Sequence, residues 1–241
     1  MMQKRVNLFG LTVDDISLSR ATELARVSLI SGESRVFFTP NLEMLEGARK
    51  NEETRKILNS GSVLLPDGAG LLLASRFLGV PIKNKASGID FGEELIALAE
   101  DEGASVFLLG GAKGVAKRAA KKQLIKHPNL KICGIHNGYF EKENEGDIIK
   151  KIQKARPDIL IVCMGFPRQE SFVCEHRDEL SSVKVFACLG GALDVWSGKK
   201  KRAPKVIQMA RLEWLWRILG EPKRATRFVS SLPALFYAIR N

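Results

Sequence analysis

Five short polar and glycine-bearing stretches each follow directly on an apolar run. VFF gives way to Thr39-Pro40-Asn41, VLL to Pro66-Asp67-Gly68 and VFLL to Gly110-Gly111. ILIVCM gives way to Gly165-Phe166-Pro167-Arg168-Gln169, and VFACL to Gly190-Gly191-Ala192-Leu193-Asp194. Asp67 has the clearest chemical use. A carboxylate with an unperturbed pKa of about 3.9 is ionised at neutral pH and can take a hydroxyl proton as a transition state forms. The glycine beside it lets a ligand approach the backbone. A second reading stands next to that one, since Asp before a helix is a routine N-cap. Thr39, Asn41, Arg168 and Gln169 add donors and acceptors that orient hydroxyl and acetamido groups, although Asn41 and Gln169 also sit where helices begin.

Gly110-Gly111-Ala112-Lys113-Gly114 opens a helical stretch and can offer backbone N–H groups to a phosphate. It lacks the GK[ST] of a Walker A loop and is not a GxGxxG fingerprint. Gly190-Gly191 is a second point of backbone approach, with Asp194 placed to accept hydrogen bonds from a ribose or base; turn geometry accounts for both glycine pairs equally well. No Asp-x-Asp pair and no dense run of carboxylates is present to hold a divalent metal against a diphosphate. Charge on a phosphate leaving group would then fall to the C-terminal arginines, whose guanidinium forks pair bidentately with phosphate oxygens.

These residues need elements to carry them. Apolar, β-branched runs at Arg35–Thr39, Val63–Leu65, Val106–Leu109, Lys131–Ile135, Ile159–Met164 and Val185–Leu189 predict strands. Helical spacing fills the intervals, at Leu42–Asn59, Gly70–Leu78, Phe91–Glu100, Val115–His127, Asp147–Ala155 and Gln169–Leu180. The alternation predicts an α/β fold, doubly wound and Rossmann-like, with a mainly parallel sheet; ligands of such sheets bind outside the strands' carboxyl ends. At Val195 the pattern changes. The basic run GKKKRAPK leads into a segment of interleaved apolar, aromatic and arginine residues, predicting a catalytic domain over 1–194 and a helical, amphipathic appendage over 195–241.

The 241 residues are 45% hydrophobic and 27% charged, which suits one packed domain with a small addition. No apolar run approaches the roughly 18 residues of a transmembrane helix. The amino terminus meets Asp14 and Asp15 before a signal-peptide core can develop, so the expectation is a cytoplasmic protein. Cys133, Cys163, Cys174 and Cys188 contain no CxxC pair and read as reduced thiols, and Cys174 with His176 falls short of a zinc set. Of the net charge of +11, +9 lies in Val195–Asn241, where eleven Lys or Arg face two Glu. Trp214, Trp216, Phe228, Phe236 and Tyr237 among those cations favour an anionic membrane surface over nucleic acid, for which no binding signature is present. A nucleotide-cofactor oxidoreductase is the other rival, and the incomplete glycine fingerprint speaks against it.

The ordered blocks TPNLEML, LLPDGAGLLLASRFLG, SGIDF, VFLLGGAKGVA, GYF, PDILIVCMGFPRQE, LGGALDVWSGKKKRAP and LEWLWRILGEPKR resemble the WecG/TagA/CpsF glycosyltransferases from about Val6 to the end. The resemblance implies an inverting transfer, without metal or other cofactor, of N-acetylmannosamine or a related sugar. The sugar would pass from UDP to polyprenyl-diphosphate-linked N-acetylglucosamine, as in teichoic acid or surface polysaccharide synthesis at the inner face of the cell membrane. It implies Asp67 as base, Thr39, Asn41 and Gln169 in the sugar pocket, and Asp194 at the nucleotide. Arg217, Arg224 and Arg227 would complete the site from the appendage. Where many relatives have Arg-x-Thr-Gly before an Asp, this chain has Lys85-Ala86-Ser87-Gly88-Ile89-Asp90, and Lys cannot reproduce a bidentate Arg contact. Self-association of the chain is left open.

Overall fold

The computed structural model describes residues 4–210, 212–221 and 223–240, without the side chains of Arg217, Lys223 and Arg224. In chain order the elements are β1 (Arg5–Leu8), β2 (Leu11–Asp14), α1 (Leu18–Ser31), β3 (Arg35–Phe38), α2 (Leu42–Lys50), α3 (Glu52–Asn59), β4 (Val63–Leu64), α4 (Ala69–Phe77) and α5 (Gly88–Asp101). There follow β5 (Ser105–Gly110), α6 (Val115–Lys126), β6 (Lys131–His136), a 3-10 turn at Lys142–Asn144, α7 (Glu145–Ala155), β7 (Ile159–Cys163), α8 (Arg168–His176) and β8 (Val185–Cys188). Helices α9 (Ala192–Trp196), α10 (Lys205–Met209), α11 (Glu213–Gly220) and α12 (Lys223–Arg240) close the chain. The fold is α/β, with a parallel sheet flanked by helices.

By their contacts the residues fall into two compact units. One compact unit is Met1–Leu18, Thr39–Ser87 and Arg202–Asn241; the other is Ser19–Phe38 and Gly88–Lys201.

In the second unit, five strands run parallel in the order β3-β8-β7-β5-β6. β7 and β8 are buried at every residue, which is why their sequences are unbroken apolar runs rather than alternating ones. At the edge, β6 alternates exposed and half-buried residues. Phe91 of α5 packs on Phe37 of β3 with ring centroids 5.0 Å apart. Gly92, one residue on, lets α5 approach α9, since a Cβ there would lie 2.6 Å from the Trp196 ring.

The first unit opens with an antiparallel hairpin that the strand pattern does not predict. Phe9 and Gly10, both at positive φ, form the two-residue turn between β1 and β2. Asp14 then serves two elements. One oxygen pairs with Arg5 Nε at 3.0 Å, and the other accepts from Leu64 N at 2.7 Å, joining β4 to the hairpin. The single helix expected over 42–59 breaks at Asn51, whose extended backbone ends α2 while its side chain accepts from Thr54 N and caps α3.

Helix α12 packs on α2 and α4. On α2, buried Glu46 accepts from Arg49 at 2.8 and 2.9 Å and pairs with Lys50 at 2.8 Å. The Arg49 guanidinium in turn covers the Tyr237 ring of α12, 4.0 Å from its centroid. Burial acts to raise the pKa of Glu46, but the hydrogen bonds and charges of Arg49 and Lys50 outweigh it and hold the carboxyl below its ordinary value.

Candidate functional site

Backbone hydrogen bonds gather three loops of the first unit. Asp67 N donates to Pro40 O at 2.9 Å, and Ala86 N donates to Pro66 O at 3.0 Å. Asp15 Oδ1 accepts from Lys83 N, Asn84 N and Asn84 Nδ2 at 3.1, 2.9 and 2.9 Å, which shapes the segment that carries Lys85. Thr39, Asn41, Asp67 and Lys85, dispersed in sequence, thereby sit on loops tied to one another.

The capping alternative for Asp67 is settled by its neighbour. Gly68, at φ +86°, is the N-cap of α4 and offers no side-chain capping bond, so Asp67 stands one position outside the helix. Asn41 does cap: its side chain accepts from Met44 N at 3.1 Å at the start of α2. The cap leaves the Asn41 amide N–H₂ as its remaining donor. Thr39 is buried, at 7% exposure.

Asn41, Asp67, Lys85 and Arg227 line one cavity of about 310 Å³. Glu43 and Glu213 also line it, and Leu73, Trp214, Ile218, Phe228, Leu232 and Leu235 make much of its wall apolar. Lys85 Nζ pairs with Glu213 Oε2 at 2.5 Å, and the two side chains are 25% and 13% exposed. The indoles and rings expected at a membrane boundary are partly used here: Trp214 and Phe228 stack at 4.7 Å with planes 7° apart. The expected roles of Arg217 and Arg224 rest on side chains outside the described ones.

The remaining sequence candidates belong to the second unit. Gln169 is buried in the first turn of α8; its Oε1 accepts from Gly165 N at 3.3 Å and Gly190 N at 3.1 Å, and its Nε2 donates to Glu170 Oε1 at 2.7 Å. It holds the turns after β7 and β8 together. Arg168 Nη2 donates to Phe140 O at 2.5 Å and its guanidinium lies 4.4 Å from the Phe140 ring centroid, beside an open cavity of about 400 Å³ at the end of β6. Asp194 pairs with Lys200 at 3.0 Å and lies 3.6 Å from Lys199, so the basic run supplies its counter-charge. Asp90 is half-buried in the first turn of α5.

The two glycine pairs separate on packing. A Cβ at Gly110 would lie 2.3 Å from Cys163 O, and one at Gly111 would lie 2.6 Å from Val115, so close packing alone demands both. Nothing lies within 4 Å of a Cβ at Gly190 or Gly191, and Gly191 has an ordinary φ of −90°. The protein itself does not require a glycine at Gly191, which leaves that surface open to a ligand's close approach.

Several neighbours escaped the sequence reading. Glu213 is 128 residues from Lys85, and no local pattern announces their pairing. Glu145, Glu175 and His176 come within metal-binding distance of one another, but Lys142 Nζ already occupies that cluster, 2.7 Å from Glu145 and 2.6 Å from Glu175. Among the cysteines, Cys163 and Cys188 are buried, with burial pushing Cys163 up to about 12, whereas Cys133 is exposed on β6.

A family model described as "Glycosyl transferase WecG/TagA/CpsF family" matches residues 6–241. Proteins from Staphylococcus aureus strains MRSA252, MW2 and NCTC 8325 / PS 47, each named N-acetylglucosaminyldiphosphoundecaprenol N-acetyl-beta-D-mannosaminyltransferase, are 30% identical over 237 residues, covering 98% of this chain and 92% of theirs. With a family model spanning nearly the whole chain and relatives matched end to end, the chain belongs to the WecG/TagA/CpsF family of glycosyl transferases.

Proposed function

We propose that the chain moves N-acetylmannosamine from UDP to N-acetylglucosamine carried on a polyprenyl diphosphate, inverting the anomeric centre and using no metal. The observation that carries this reading is the cavity that Asp67, Asn41, Lys85 and Arg227 line together with apolar side chains. Asp67 takes the proton from an acceptor hydroxyl as that oxygen attacks the anomeric carbon; the bond to the nucleoside diphosphate breaks on the opposite face, and the electron pair leaves with its phosphate oxygen. Asn41 supplies an amide donor for a hydroxyl or acetamido group. Lys85 and Arg227 offset diphosphate charge, and Arg217 and Arg224 are assigned the same task by family resemblance. By family resemblance Asp194 is assigned to contact with the uridine nucleotide.

The protein works at a membrane surface. Among the described residues no helix is long and apolar enough to cross a membrane. The C-terminal helices nonetheless expose Val206, Met209, Leu219 and Phe236, at 77, 83, 72 and 62%, in a strongly basic segment, a composition that suits the inner face of an anionic bilayer.

The test is to incubate the protein with a panel of UDP-sugars and a lipid-linked N-acetylglucosamine, with and without chelator, and to identify the product by mass. One N-acetylmannosamine added with chelator present is the expected result. Transfer of another sugar, or none until a metal is added, overturns the donor or the metal-free assignment respectively.

A further inference from the structure

Glu170, next to Gln169 in the first turn of α8, is fully buried at 0% exposure and takes no part in the reaction proposed above. Withdrawing a carboxyl group from water is costly, so the position has to be understood through what the group bonds. One bond is short: Glu170 Oε1 accepts from Gln169 Nε2 at 2.7 Å. That bond decides which way the Gln169 amide faces. With its N–H₂ end spent on Glu170, Oε1 is left to accept from Gly165 N and Gly190 N, at 3.3 and 3.1 Å. Turned over, the amide would set N–H₂ against two N–H groups and its oxygen against the carboxyl, and all three bonds would be lost.

The two N–H groups lie where the sheet stops. Leu189 N still donates to Val162 O of β7 at 2.9 Å, whereas Gly190 N, one residue on, donates to Gln169 instead. Gln169 thus continues the pairing of β7 and β8 past their ends. Nothing lies within 4 Å of a Cβ at Gly165, Gly190 or Gly191, so the edge held in this way is open, and ligands of parallel sheets bind outside the strands' carboxyl ends. Asp194 follows in the first turn of α9.

We propose that Glu170 is a positioning residue for the sugar-nucleotide donor. It touches no substrate; it orients Gln169, which fixes the Gly165 and Gly190 turns and with them the backbone that leads to Asp194. Turns already held in one shape spare the ligand the cost of ordering them. The inference rests on the proposed UDP-linked donor and on its binding at this edge.

Two unbranched replacements in the full chain test it. Glu170→Gln keeps an oxygen that accepts from Gln169, whereas Glu170→Met has none and leaves the amide free to turn. Amide hydrogen exchange and calorimetric titration with UDP are the readouts, beside urea denaturation. In Glu170→Met, Gly165 and Gly190 should exchange about tenfold faster than in the parent, and UDP should bind at least about fivefold more weakly. In Glu170→Gln both quantities should stay within about threefold of the parent, because the acceptor is retained. In the transfer assay Glu170→Met should raise the donor KM by the same factor as the loss in UDP affinity, with kcat and the acceptor KM within about twofold of the parent. Parental exchange or parental UDP affinity in Glu170→Met, or a Glu170→Gln protein as impaired as Glu170→Met, overturns the inference. The parent supplies a check that does not depend on a variant folding: UDP should slow exchange at Gly165 and Gly190 together, and slowing at neither or at only one overturns it too. A parent that binds no UDP retires the donor reading and this inference with it, whereas UDP binding that Glu170→Met leaves unchanged retires this inference alone.

Discussion

Replacing Asp67 by Asn tests the chemistry with little disturbance of structure. The substitution keeps the shape of the side chain and removes its charge and its ability to take a proton. Helix α4 is capped at Gly68, without a side-chain bond, so the roughly 0.5–2 kcal/mol that an N-cap loss costs is not at stake. The backbone N–H that ties Asp67 to Pro40 O is unaffected by the change. Stability in urea should therefore stay within about 1 kcal/mol of the parent. Loss of a general base lowers the rate about 10²- to 10⁴-fold, equivalent to about 2.7–5.5 kcal/mol of transition-state stabilisation. The assay is single-turnover transfer from radiolabelled donor with both substrates saturating, run beside urea denaturation of the same preparation. A folded Asp67→Asn protein retaining more than about a tenth of the parent rate would refute the assignment of Asp67 as base.

Gln169→Ala removes three hydrogen bonds and strands the N–H groups of Gly165 and Gly190, so urea denaturation should register a loss of about 2–4 kcal/mol. Gly191→Ala should leave stability within about 1 kcal/mol, because its φ suits any residue and no atom lies near, while raising the KM for the nucleotide donor severalfold; Gly110→Ala, driven into Cys163 O, should cost more than about 3 kcal/mol. Glu46→Gln should destabilise by about 1–2 kcal/mol at pH 7 by weakening the anchor of Arg49 under Tyr237. Because the folded pKa of Glu46 is lowered, its contribution is present above the unfolded carboxyl range and disappears as pH falls through the folded value. Parent and variant should therefore converge in thermal denaturation series taken towards pH 3.

Much of the architecture was legible one segment at a time. The six apolar runs expected as strands are all strands; burial on both faces gives β7 and β8 their unbroken apolar signature, whereas the edge strand β6 reads through a weaker alternation of exposed and half-buried residues. The hairpin β1–β2 was not legible, since four-residue strands around Phe9-Gly10 lack a run long enough to read and their turn carries only one glycine. Asn51 shows the limit within a helix: the periodicity of 42–59 continues across it, and only the backbone reveals that it ends one helix and caps the next.

What the sequence by itself determined is the family, the α/β class and the set of polar residues at strand ends, because each is carried by local composition, spacing and order. Tertiary structure decided how they are used. Asp67 was released from the capping reading by the backbone of Gly68, and Gln169 was assigned to joining two turns by hydrogen bonds to residues 4 and 21 positions away. Lys85 acquired Glu213 as partner across 128 residues, and Trp214 with Phe228 became the wall of a cavity. Such pairings depend on where helix α12 comes to rest against α2 and α4 and α11 against α12, and a packing of that range leaves no periodic trace in the chain.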